Sequence, residues 1–148
     1  GVDLLINNAS AFGSSDDDKG WTSSLAVDML SIVHATQEAL PELKKSQGNV
    51  VNISSISALH PAARQPPYGA IKAAVIHYTI TQAAMYAKDR VRVNCIAPGL
   101  IKTDFARALW EDEAMLKERM VTTPLRRIGE PDEIAGAAVF LACGARCY

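Results

Sequence analysis

Three short apolar runs, two of them followed by a long segment of mixed polarity, constrain the fold of this chain more than any other feature. The runs are Leu4-Leu5-Ile6, Asn49-Val50-Val51-Asn52-Ile53 and Val91-Arg92-Val93-Asn94-Cys95-Ile96. Each has strand length and apolar or β-branched content. The stretches 21–45 and 68–87 between them have the length and patterning of helices. Strands separated by crossover helices satisfy their hydrogen bonds as parallel neighbours, because a tight hairpin cannot join parallel strands. Punctuation agrees: Gln47-Gly48 ends the first long helix, Pro98-Gly99 stops the third strand, and Pro131 followed by Asp132 and Glu133 opens the last helix, running to about Ala142. Residues 11–20 read as a polar loop, and 103–121, apolar at Phe105, Ala108, Leu109, Met115, Leu116 and Met120, as one or two amphipathic helices. The expectation is an α/β chain, 1–148 forming a single partial domain with about three strands of a doubly wound parallel sheet. No Gly-rich strand-to-helix turn of the GxGxxG kind occurs. The chain is therefore expected to begin after the first strand–helix unit, as a fragment of a longer protein.

Composition narrows the partners. Of 148 residues, 49% are apolar and 21% charged, which is globular rather than disordered. A net charge of -1, with basic runs no longer than Lys44-Lys45 and Arg126-Arg127, provides no footprint for nucleic acid. No stretch reaches 18 uninterrupted apolar residues, so no membrane span is expected. Cys95, Cys143 and Cys147 form no CxxC pair and have no histidine cluster beside them. Neither a disulfide framework nor a metal site is expected, and a reducing, cytoplasmic compartment is. The chain opens without Met, so its targeting is not legible.

The chemistry concentrates at Tyr68 and Lys72, four residues apart, with Ser55 thirteen residues before the tyrosine. On a helix that spacing puts the phenol and the ammonium on one face. A phenol ionises near pH 10, so by itself it is a poor proton donor or acceptor at neutrality. A neighbouring ammonium favours the phenolate and moves the group toward working pH. A serine hydroxyl then shares the oxygen of a bound carbonyl or alcohol. A lone Tyr-x-x-x-Lys is weak evidence, equally read as a surface tyrosine on a lysine stem, and serines in such a loop are ordinary turn formers. Other elements in fixed order give it weight.

Those elements are Asn7-Asn8-Ala9-Ser10, Gly48-Asn49-Val50-Val51-Asn52-Ile53-Ser54-Ser55, Tyr68-Gly69-Ala70-Ile71-Lys72, Val91 to Gly99, and Gly129-Glu130-Pro131. Together they resemble the short-chain dehydrogenase/reductase family, matching the central and C-terminal parts of a complete member. Ala97 to Thr103 and Phe105 to Trp110 look most like a branch containing peroxisomal carbonyl reductases and bacterial relatives. The resemblance implies a Rossmann-like sheet and an oxidoreductase that moves a hydride between NAD or NADP and an alcohol or carbonyl substrate. It implies Tyr68 as general acid/base and Ser55, chosen over Ser54 and Ser57 by spacing, as the hydrogen-bond donor to the substrate oxygen. Lys72 would lower the tyrosine pKa and hold the nicotinamide ribose. Asn8 and Ala9 would run beside the cofactor. Past Pro98 and Gly99, Ile101 would contact the nicotinamide carboxamide through its backbone, and Thr103 would touch it or the diphosphate. Segment 103–121 would form a lid, with Phe105, Leu109 and Trp110 either lining an apolar pocket or serving ordinary helix packing, and the two long helices a homo-oligomer face including Met29, Val33, Val75 and Ile76.

Two positions depart from the family pattern. Ser10 replaces a glycine, which would crowd the cofactor passage. Asp28, 27 residues before Ser55, stands where a fourth catalytic residue is usually asparagine acting through its main-chain carbonyl. A backbone role survives that change, but the carboxylate would weaken the pull of Lys72 on Tyr68. The second function class is a catalytically inactive remnant serving at most as a dimerisation or interaction module. An epimerase or dehydratase with the same Tyr-x-x-x-Lys is disfavoured by the Pro-Gly and Gly-Glu-Pro elements. Asp28→Asn is expected to leave kcat within about tenfold, or ~1.4 kcal/mol; a loss of several hundredfold in steady-state assays contradicts this.

Overall fold

The computed structural model describes residues 1–143; Cys147 lies outside the described residues. Strands β1 (Leu4–Asn7), β2 (Asn49–Ile53) and β3 (Arg92–Ile96) form one parallel sheet in the order β1-β2-β3. Their register aligns Asn7 with Asn52 and Asn52 with Cys95. All three strands therefore end along one edge. The expected strands and crossover helices are present.

The first crossover is longer than expected and not uniform. Helix α1 (Asp18–Ser24) runs through a π-helical stretch (Leu25–Leu30) into α2 (Ser31–Ser46). Asp17 caps α1 by accepting the Gly20 N–H at 2.8 Å. Inward residues recur every four positions at Gly20, Ser24, Asp28, Ile32 and Thr36. A step of four overshoots an α-helical turn by about 40°. The wider π turn takes up that drift, keeping Asp28 in line with the stripe that faces the sheet. Gln47, at φ 53, closes α2 in the left-handed region.

Helix α3 (Pro66–Tyr86) carries the organising stripe. Tyr68, Lys72, Val75, Thr79, Gln82 and Tyr86 are all buried, at the three-and-four spacing of one helix face. The lower part of this face belongs to the core. Tyr86 packs with Leu43, Val50, Val91 and Val93, and with Leu5, Leu40 and Ala83 around them. Val75 is fully buried. It is therefore a core residue and not on the expected oligomer face, because it shares the inward stripe with Tyr68 and Lys72.

Between core and site lies a buried polar ladder. The Asn7 amide donates to Asn52 Oδ1 at 2.8 Å, and the Asn52 amide donates to Thr79 Oγ1 at 2.9 Å and Gln82 Oε1 at 3.0 Å. These bonds tie β1, β2 and α3 at fixed height. Helix α6 (Pro131–Ala142) lies on the opposite side of the sheet, where Leu4 and Ile6 face Ala135, Ala138, Val139 and Ala142 across an open apolar groove. The segment 104–122 forms a 3₁₀ turn (Asp104–Ala106) and two helices, α4 (Arg107–Trp110) and α5 (Glu113–Thr122). Among the described residues no helix is long and apolar enough to cross a membrane.

Asn52→Ala strands an Asn7 donor and a Gln82 acceptor with no exposed surface nearby. Each unsatisfied buried group costs about 1–3 kcal/mol. Urea unfolding should show a loss of at least about 2 kcal/mol; a loss below 0.5 kcal/mol (~ the scale of a surface change) contradicts the ladder's role.

Candidate active site

The C-terminal edge of the sheet gathers most of the expected residues. Asn8 and Ala9 leave β1, Ser55 follows β2, and Pro98 and Gly99 follow β3. The exits of β2 and β3 are stitched together by Ser54 N–H to Ile96 O and Ile56 N–H to Pro98 O, each at 2.8 Å. Crevices at this edge of open parallel sheets are where ligands sit.

Hydrogen bonding separates the three rival serines. Ser54 turns inward and donates to the Lys72 carbonyl at 2.7 Å, fastening α3 to the end of β2. Ser57 Oγ accepts the Gln65 amide at 3.2 Å. Ser55 Oγ accepts the Ser57 N–H at 3.1 Å, leaving its own hydrogen free, and its hydroxyl lies beside the Tyr68 phenol. The residue picked by spacing is the one beside the tyrosine.

Lys72 is held by an ion pair inside the site. Its ammonium is buried, 3.1 Å from Asp28 Oδ1, and donates to the Ile53 carbonyl at 3.0 Å. The Asp28 carboxylate is fully buried as well. It accepts the Ser10 hydroxyl on Oδ1 and the Ala11 N–H on Oδ2 at 3.2 Å. Asp28 thus meets Lys72 through its side chain, the approach by which its carboxylate was expected to weaken the pull of Lys72 on Tyr68. Ser10, expected to crowd the passage beside the cofactor, turns its hydroxyl to Asp28 instead. The two departures from the family pattern touch each other: the extra carboxylate has an extra hydroxyl to satisfy it.

This pairing changes the electrostatics of Tyr68. Burial pushes the phenol above its ordinary value; the Ser55 hydroxyl opposes that rise and the Asp28 charge adds to it. The expected lowering by Lys72 is not seen here. Its ammonium lies 5.5 Å from the ring centroid with its charge compensated by Asp28. At neutral pH the phenol carries its proton, which equips it as an acid first.

The remaining expected contacts lie farther along the chain. Ile101 bridges Gly129 in parallel fashion, with Lys102 N–H to Gly129 O at 2.9 Å. Gly129 of the Gly-Glu-Pro element packs against the Ile101 side chain and accepts the Lys102 N–H. Thr103 caps the 3₁₀ turn, Oγ1 accepting the Ala106 N–H at 3.3 Å, and its carbonyl accepts Trp110 Nε1–H at 2.8 Å. Lys102 lies over the Trp110 ring, 5.8 Å from its centroid. Trp110 therefore braces the segment from below the turn. Arg64, in the loop after Ser55, pairs with Glu118 of α5 at 2.9 Å on the surface. His60 is exposed in the same loop. Two neighbours of the site were not foreseen: Ser10 as a partner of Asp28, and Phe12, whose ring packs on Tyr68. The available signal for Phe12 was a single aromatic residue inside a polar loop. Among the described residues no cluster of metal-ligating side chains occurs.

A parallel sheet with serine, tyrosine and lysine gathered at its C-terminal edge defines an α/β protein of the Rossmann type. The family model described as enoyl-(acyl carrier protein) reductase matches residues 1–148. The bovine dehydrogenase/reductase SDR family member 4 is 41% identical over 147 residues, covering 95% of this chain and 53% of that protein. A gluconate 5-dehydrogenase from Burkholderia cenocepacia, solved with NADP and tartrate, superposes with a TM-score of 0.90 at 30% identity, over 97% of this chain and 58% of that one. A 4-hydroxyisoleucine dehydrogenase complexed with NADH superposes with a TM-score of 0.87 at 26% identity, over 94% and 60%. The chain belongs to the short-chain dehydrogenase/reductase family. It spans about half the length of the curated relatives it matches.

Removing the Asp28 charge removes one of the influences that raise the Tyr68 phenol. Asp28→Asn should move tyrosine ionisation, followed by ultraviolet difference absorbance against Tyr68→Phe, to lower pH. An unchanged or higher midpoint contradicts the pairing.

Proposed function

We propose that the protein containing this chain is an NAD- or NADP-dependent oxidoreductase acting on a small alcohol or carbonyl substrate, with Tyr68 as the general acid/base. The observation that carries the reading is the placement of Ser55, Tyr68 and Lys72 together at the C-terminal edge of the sheet, with the serine hydroxyl free to donate beside the phenol. Family membership and relatives solved with NADP or NADH support it.

The residues present fit a nicotinamide cofactor. Lys72 has three N–H donors, of which Asp28 and Ile53 take two. The third is available to a ribose hydroxyl near Tyr68. A Cβ at Gly99 would meet nothing within 4 Å, leaving open space past Pro98. Asn8 and Ala9 are exposed at the mouth of β1, and Thr103 keeps its hydroxyl hydrogen while Oγ1 accepts. Asn8, Ala9, Tyr68, Lys72, Pro98, Gly99, Ile101 and Thr103 are the proposed cofactor contacts. When bound, the nicotinamide supplies or receives the hydride.

In reduction Tyr68 gives its proton to the carbonyl oxygen, while Ser55 donates a hydrogen bond to the same oxygen and stabilises its developing charge. Lys72 holds the site's geometry and Asp28 holds Lys72. In oxidation the phenolate must form first, so the rate should climb as pH rises toward the elevated phenol pKa, while reduction falls over the same range. No pH dependence of alcohol oxidation between neutral and alkaline solution would contradict Tyr68 as the base. Tyr68→Phe should lower kcat by at least 10²-fold (about the scale of a positioned proton donor), and Ser55→Ala by about 10²–10³. In both, cofactor affinity from fluorescence titration should stay within a few-fold.

The homo-oligomer is part of the same proposal. The outward face of α3 exposes Ala73, Ala74, His77, Ile80 and Ala84, a surface of small and apolar residues suited to close helix packing. Met29, Val33 and Ile76 are half-buried. A second reading, a non-catalytic interaction module, is favoured by one observation. Leu4 and Ile6 on edge strand β1 remain about 40% exposed, with Val139 and Phe140 of α6 more so. Nicotinamide cofactor binding by this 148-residue chain at micromolar concentration (order of −8 kcal/mol) would reject that reading, and absence of binding by the complete gene product would favour it.

A further inference from the structure

Gln65 is buried beside the site and has no part in the reaction described. It stands at the N-cap of α3, three residues before Tyr68, and is 6% exposed. A polar side chain at that position ordinarily caps its helix. This one makes no such bond, and Pro66 and Pro67, the first two helical residues, carry no N–H to receive one. Its amide reaches back to the turn after β2 instead and donates to Ser57 Oγ at 3.2 Å.

Ser57 is thereby gripped at both ends. Its side chain accepts from Gln65, and its N–H donates to Ser55 Oγ at 3.1 Å. A serine hydroxyl rotates freely until its lone pairs are engaged. With one lone pair taken by Ser57, Ser55 has fewer directions left for its hydrogen, and the Tyr68 phenol lies beside it. The other end of the chain is equally constrained. Two prolines lie between Gln65 and Tyr68 and fix φ at both positions, so the residue that grips the serine turn is stiffly joined to the one that carries the phenol. A Cβ at Gly69 would lie 2.4 Å from the Ala62 Cβ and 3.1 Å from Ser57 O, so this loop rests directly on the first turn of α3.

We infer that Gln65 is a positioning residue: through Ser57 it holds the Ser55 hydroxyl where serine and tyrosine share the substrate oxygen. This rests on the oxidoreductase reading above for the reaction, and on the Gln65–Ser57–Ser55 chain for the residue. The amide is not what holds the loop together. Gln65 N–H donates to Ala62 O at 2.9 Å, Gly69 N–H donates to Gln65 O at 3.1 Å, and Ser54 fastens α3 to β2, all without the Gln65 side chain. Methionine has the same length and no donor, so Gln65→Met removes the grip and leaves those bonds in place.

Two readouts on the complete gene product test the inference. The first needs neither cofactor nor substrate: tyrosine ionisation by ultraviolet difference absorbance against Tyr68→Phe. The Ser55 hydroxyl holds the phenol below where burial alone would put it. Gln65→Met and Ser57→Ala should each move the midpoint to higher pH, and neither should move it further when combined with Ser55→Ala. Ser57→Thr, which keeps the accepting oxygen, should titrate as the wild type does. The charged groups facing the phenol, Lys72 of α3 and Asp28 of the π-helical stretch, are the same in every variant. The second readout is reduction of 2,3-butanedione with NADH or NADPH. Gln65→Met should lower kcat about tenfold, part of the 10²–10³ at stake in the donor itself, with KM within about twofold. Added to Ser55→Ala, it should cost less than about twofold more. An unmoved midpoint in Gln65→Met, or kcat losses that multiply with those of Ser55→Ala, would overturn the positioning role and leave Gln65 a brace of its loop. If the midpoint moves as expected but the wild type binds neither NADH nor NADPH, the positioning stands and the oxidoreductase reading falls.

Discussion

Everything at the functional end of this molecule depends on one buried ion pair. Lys72 and Asp28 are 3% and 0% exposed at the side chain and 3.1 Å apart. Taking two charges out of water is costly, and the cost is offset by their mutual attraction and by further hydrogen bonds to each partner. Here the ammonium also binds Ile53 O, and the carboxylate binds Ser10 and the Ala11 N–H. The pair therefore draws together the β1 loop, the π-helical stretch, the end of β2 and α3. Breaking it leaves an uncompensated buried charge, a penalty of about 3–5 kcal/mol.

From that pair the rest of the site follows by geometry. Lys72 and Tyr68 are one turn apart on α3, so fixing the first orients the second. Ser54 secures the same turn of α3 to the end of β2, which leaves Ser55 facing the phenol. Compensation by Asp28 also explains why the phenol is raised by burial and not lowered by its ammonium neighbour. The cost of a direct carboxylate contact is a tyrosine that holds its proton more firmly, which favours the acid role over the base role at neutral pH.

Much of this was legible in the sequence because strands and helices write periodic patterns. The three strands and the α3 and α6 helices lie within a residue or two of their expected bounds. Ser55, Tyr68 and Lys72 were legible because a helix turn and a strand end impose fixed spacings. Less legible were features decided by three-dimensional approach. Nothing in Leu25 to Leu30 marks a π turn, since it contains no Gly or Pro; only the four-residue spacing of Gly20, Ser24, Asp28, Ile32 and Thr36 encodes it, through its drift. Ser10 and Asp28 are 18 positions apart, and each read alone looked like a departure. Phe12 showed only as a lone aromatic in a polar loop, because its contact with Tyr68 depends on a left-handed backbone that Gly13 and Ser24 impose. Val75 was misplaced on the outer face because the inward stripe of α3 alternates steps of three and four, which a short list of apolar residues does not distinguish.

The central claim is that Asp28 and Lys72 act as one unit. The most direct measurement is a double-mutant cycle on urea unfolding free energies with Asp28→Leu, Lys72→Met and the two combined. If the pair is a unit, the double variant is more stable than either single one, and the coupling free energy reaches the upper part of the ~0.5–3 kcal/mol range seen for contacting residues. Additive losses, within about 0.5 kcal/mol, would mean that the two charges do not depend on each other.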